Sequence, residues 1–104
     1  METPALLHDL NDSYGLGLPE ATTLDALETV LADRINTMIT TDFNRLVSLL
    51  YRIDVNENVL KKLLKENAGT DAGLIMARLV LERQWQKIET RRKYRPRQTD
   101  DQGE

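Results

Sequence analysis

The chain has no cysteine and only one histidine among its 104 residues. The first absence excludes disulfides and thiol chemistry and suits a reducing compartment, so a cytoplasmic location is expected. The second leaves His8 without the partner that a two-histidine metal centre needs. Near a chain end, His8 beside Asp9 and Asp12 reads as a solvated or structural histidine rather than a catalytic base. There is no run of eighteen apolar residues, so no membrane span is expected. The opening "METPALLHDLND" has no basic residue ahead of an apolar stretch and does not read as a secretory signal. The glycine pair "GLG" at 15–17 lacks the third glycine, the preceding strand and the lysine of a phosphate loop. No cofactor is predicted from it. Strand patterning is also missing: "LVSLLYRIDV" contains β-branched residues, but its apolar positions fit a period of 3.6 better than 2.

What is present is helical. The length suits one domain, and 40% apolar with 30% charged residues is ordinary for a globular chain. Leu24, Leu27, Leu31, Ile35 and Met38 fall within a stripe about 80° wide on a helical wheel. Thr22 or Thr23 can cap its start. "ITTD" breaks this helix and offers a new cap at Thr41 or Asp42. Phe43, Leu46, Val47, Leu50 and Ile53 form a second stripe, and Val59, Leu60, Leu63 and Leu64 a third. Gly69 is placed to end the third helix in the left-handed conformation, and Thr70 or Asp71 to cap the fourth. The fold class is all-α, a compact bundle of about four helices over roughly 22–39, 42–53, 56–67 and 71–94. The last is long, apolar on all sides from Leu74 to Leu81, and then apolar along one line only, through Trp85 and Ile88. Residues 22–94 form the helical domain. Residues 1–21 read as a loose segment in which Leu6, Leu7 and Leu10 could form a short docking helix. Residues 95–104, "RPRQTDDQGE", read as a disordered polar tail.

The phrase "DVNEN" at 54–58 raises the question of a cation site, because Asp54, Asn56 and Asn58 stand at alternate positions as in a calcium loop. Such a loop needs glycine at its sixth position and glutamate at its twelfth; here those are Val59 and Lys65. A corner between helices explains more. Asp54 with Glu57 has the spacing of a capping box, and Asn56 is a second capping candidate. No metal is predicted.

Charge is strongly segregated. Residues 1–77 carry 6 basic and 12 acidic side chains, and residues 78–97 carry 8 basic and 2 acidic. Within the basic segment Arg83, Lys87 and Arg91 lie four apart on one helix face, with Trp85 and Tyr94 interleaved. The candidate partner-binding residues are therefore Arg83, Trp85, Lys87, Ile88, Arg91 and Tyr94. Basic residues among aromatics can hold nucleic acid through phosphate contacts and stacking. A helix C-terminus also favours cations in any protein, and the acidic body opposes broad nucleic-acid affinity.

Residues 44–94 contain the phrase "LLYRIDV" followed by a helix that reads "ARLVLERQWQKI". In these features the chain resembles a group of small bacterial helical proteins of unassigned function. The resemblance implies a helical fold and a bacterial origin, and implies no activity or functional residues.

The functional expectation is a non-catalytic, cytoplasmic interaction or assembly protein that self-associates, with a dimer favoured and an unknown protein partner as a further possibility. In this reading Trp85 and Ile88 form an apolar strip that a partner covers. The alternative is a nucleic-acid or ribosome-binding accessory domain that uses the basic end of the last helix.

Overall fold

In the computed structural model the described residues are all-helical, with five helices among them: α1 (Thr3–Tyr14), α2 (Leu24–Thr41), α3 (Phe43–Ile53), α4 (Glu57–Glu66) and α5 (Ala72–Gly103). The structure describes the backbone of residues 1–103 and the side chains as far as Tyr94. The expected loose tail, 95–104, lies outside the residues described in full. No helix among the described residues is long and apolar enough to cross a membrane.

The helices begin where the caps dictate. The Thr23 hydroxyl accepts from the Ala26 amide at 3.1 Å and starts α2. The Asp42 carboxylate accepts from Arg45 at 3.2 Å and starts α3. The Asn56 side chain accepts from Val59 at 3.0 Å and starts α4. Asp71 accepts from the Gly73 amide at 3.1 Å in the first turn of α5. Each bond satisfies an amide that has no partner within its helix.

The core lies between α2 and α5. Leu27, Leu31, Ile35 and Met38 of α2 are buried against Met76, Ala77, Val80 and Leu81 of α5. The apolar-all-round half of α5 is thus central, as its pattern predicts. Close approach of the two helices depends on a missing side chain. A β-carbon on Gly73 would lie 2.5 Å from Oδ1 of Asn36.

The N-terminal segment takes the form its leucines allow, a short docking helix, which brings the described helices to five where about four were expected. Leu6 and Leu10 of α1 are completely buried, and the loop behind α1 adds Leu16 and Leu18 to the same core. Gly15 and Gly17, both at φ 61, give that loop the left-handed turns a side chain would resist. Two other expectations are corrected. Gly69 does not end α4; that helix stops at Asn67, with backbone in the negative-φ region. Asp54 does not begin α4. It ends α3, in the left-handed conformation at φ 69 and ψ 48. Its amide donates to the carbonyls of Leu50 and Tyr51 at 3.0 and 3.1 Å, which closes the helix.

Candidate functional site

The basic face of α5 is used inside the molecule. Arg83 Nε donates to the Asp54 carbonyl at 3.2 Å, and its Nη2 to the Asp54 carboxylate at 3.3 Å. Lys87 Nζ donates to the Arg52 carbonyl at 3.0 Å. These carbonyls belong to the C-terminal end of α3, where the helix dipole is negative and oxygens lack helical partners. Asp54 and Asn56, two of the three residues that could imitate a calcium loop, are therefore occupied, one by Arg83 and one by the α4 cap.

One turn further, α5 meets α1. Arg91 Nη2 donates to Asp9 Oδ2 at 3.1 Å, and Gln84 Nε2 donates to the same oxygen at 3.2 Å. Tyr14 donates its hydroxyl hydrogen to Gln84 Oε1 at 3.1 Å. The buried Asp9 carboxylate is thus satisfied by a chain of donors, as burial of charge requires. Arg92 grips both carboxylate oxygens of Glu2, at 2.5 and 2.9 Å. These hydrogen bonds, more than the attraction between the opposite charges, hold the Glu2 carboxyl below the usual glutamate range and raise Arg92 in turn.

The structure also redistributes the predicted apolar residues of α5. Ile88 is fully buried, because α1 covers this part of the helix and places Leu6 and Leu10 in the same core. It is not part of an exposed strip. Trp85 is half-buried against the core, with the Arg92 guanidinium 5.5 Å from its ring centroid. Tyr94 is 43% exposed. The six predicted residues thus do not form one open face. Arg83, Lys87 and Arg91 bind two different elements, and Ile88 lies beneath α1. His8 is exposed on α1 beside an open hollow of about 570 Å³ that Asp12 and Glu20 also line.

The uncovered apolar surface lies elsewhere, on α3 and α4. α3 buries Leu46, Leu49 and Ile53 but exposes Phe43 (58%), Val47 (39%) and Tyr51 (80%). α4 contains Val59, Leu60, Leu63 and Leu64, yet none of its ten residues is buried. Between the two helices runs a groove of about 590 Å³, lined by Phe43, Val47, Leu50, Val55, Leu60 and Leu64. Its acids are neutralised in place: Asp54 by Arg83, and Glu57 by Lys61 one turn along α4 at 3.0 Å. No motif marks this face, but its sequence carries a signal. At roughly 100° per residue, the apolar residues of α3, counting Leu49 and Tyr51, span an arc of about 200°, more than one neighbouring layer can cover.

No family model, curated protein or solved structure matches the chain.

Proposed function

We propose that this chain is a non-catalytic interaction protein that assembles through the outer face of α3 and α4. The observation that carries this reading is the groove between α3 and α4, where Phe43, Val47 and Tyr51 stay exposed and the leucines of α4 are only half-buried. A short helix has little stability of its own and depends on packing of its apolar stripe. A partner that covers the groove supplies that packing, and contiguous apolar patches of this kind mark association sites. A cytoplasmic location, consistent with the cysteine-free composition, and the bacterial origin suggested by residues 44–94 belong to the same reading.

Nucleic-acid binding through α5 stands second. Arg91, with its side chain 57% exposed, and Arg92, 45% exposed, could turn toward a phosphate. A phosphate would compete with Asp9 and Glu2 for them, and with the α3 carbonyls for Arg83 and Lys87.

The test uses dilute protein and an environment-sensitive apolar dye. Wild type should bind the dye, and Tyr51→Glu combined with Val47→Lys should abolish binding with helicity unchanged. Titration with RNA or DNA at two salt concentrations should show no complex. Equal dye binding by wild type and the double variant would refute the α3–α4 face, and a salt-sensitive complex would promote the α5 reading.

A further inference from the structure

Resting on that proposed function, we infer that the occupant of the α3–α4 groove is the α3–α4 face of a second copy of this chain, in an isologous dimer.

Shape points to a copy. One and the same face presents two exposed rings, Phe43 and Tyr51, at the wall of a groove that Leu50, Leu60 and Leu64 also line. A surface that must meet itself across a two-fold axis needs both a projection and a hollow, because each copy supplies both sides of the contact. A partner's single amphipathic helix would need only the hollow.

Charge points the same way. Residues 1–77 hold twice as many acids as bases, 12 against 6, so two copies meeting through most of this surface would repel. The groove is an exception. The acids that line it, Asp54 and Glu57, each have a cation beside them, Arg83 and Lys61. A face built for a strongly charged partner would carry an uncompensated rim of one sign. This one carries none, which is the condition for like to meet like.

The area is sufficient. An aromatic side chain offers on the order of 150–250 Å², so the exposed fractions of Tyr51 and Phe43 alone present about 250 Å² of surface. Val47, Val55 and the half-buried leucines Leu50, Leu60 and Leu64 raise the apolar total to roughly 400 Å². A standard interface uses about 800 Å² from each partner, of which about two thirds is apolar in homodimers. The face therefore supplies close to the apolar core of a stable dimer, and the polar Asn56, Asn58 and Lys61 at its edge supply a rim.

The experiment is light scattering or sedimentation equilibrium on the full chain over a wide concentration range, with Tyr51→Glu and Val47→Glu, two exposed residues that line the groove, as variants. Both positions are exposed in the monomer, and circular dichroism verifies that each variant folds. The expected result is a mass that rises from one chain to two with concentration and persists at high salt, and that stays at one chain in both variants. A wild type that remains monomeric throughout overturns the inference. So does a dimer that both variants leave intact, or one that dissolves only when Arg83 and Lys87 are reversed in charge. The dye measurement separates the two levels. Monomeric wild type that still binds dye at the groove removes the second copy and keeps the interaction face. Monomeric wild type without dye binding removes both.

Discussion

Gly73 of α5 faces Asn36 of α2 so closely that the Asn36 amide occupies the space a β-carbon would need, at 2.5 Å from Cγ and Oδ1. That amide is itself held, donating to both carboxylate oxygens of Asp71 at 2.9 and 3.0 Å. Gly73→Ala should therefore displace Asn36 and break its bonds to Asp71, with a net loss of about 1 kcal/mol despite the helix preference of alanine. In an Asn36→Ala background the clash disappears, and the same change should be neutral or stabilising. A double-mutant cycle by denaturant unfolding measures the coupling; simple additivity would contradict the packing described.

Ile88→Ala should destabilise the fold by about 2–5 kcal/mol, the usual cost of emptying a fully buried aliphatic site. At temperatures where the variant is folded, its association should match wild type, unlike that of Tyr51→Glu. Unfolding curves paired with mass measurement check this. A variant of unchanged stability but altered mass would return Ile88 to the surface.

Asn56→Ala removes the cap of a helix in which no residue is fully buried. Such caps contribute about 0.5–2 kcal/mol. Because α4 rests on the core only through half-buried leucines, Leu60 and Leu64 among them, the effect should be local. Amide exchange should accelerate over residues 57–66 while the melting temperature changes little. Uniform acceleration across α2 and α5 would show that α4 unfolds only with the whole protein.

Glu2 supplies the pH dependence. Its folded pKa is depressed by Arg92, so the stabilisation it gives is fully present above the unfolded glutamate value. It is lost as pH falls through the lowered folded value. Arg92 is charged across this whole range and adds no slope. Melting temperature against pH should therefore decline more steeply on the acid side for wild type than for Glu2→Gln, with the two curves converging at low pH. Both groups are on the surface, so the difference is modest and should shrink with salt.

The helices of the bundle centre were legible from residue spacing alone. The stripe of Leu27, Leu31, Ile35 and Met38 is narrow, and it packs on a segment of α5 that is apolar all round. Spacing says less about where a wide stripe divides. Phe43, Leu46, Val47, Leu50 and Ile53 read as one core face, yet Leu46 and Ile53 turn inward and Phe43 and Val47 outward. The division depends on where α2 and α5 lie, which is tertiary information. The same limit applies to α5. That Arg83, Lys87 and Arg91 share a face follows from their four-residue steps. That they end on Asp54, Arg52 and Asp9 does not, because those partners are 29, 35 and 82 positions away. The docking of α1 was hidden for a related reason. Its short leucine pattern is reinforced by arginines that close its far end from elsewhere: Arg52 to the Ser13 carbonyl at 2.8 Å and Arg45 to that of Gly15 at 2.9 Å.

The attachment of α1 has a consequence for the order in which the chain takes shape. α1 precedes the other four helices described, and several of the side chains that hold it lie far along the chain: Gln84, Arg91 and Arg92 reach back 75, 82 and 90 positions. α2 and α3 can pair as neighbours as soon as both exist, and Arg45 and Arg52 of α3 can hold the end of α1, but the bonds of α1 to Gln84, Arg91 and Arg92 form only with the far half of α5. Closing so long a loop is slow relative to local helix pairing. The seam between α1 and α5 is therefore expected to close late, and until it does the leucines of α1 are the part of the core most open to chaperones or neighbouring chains.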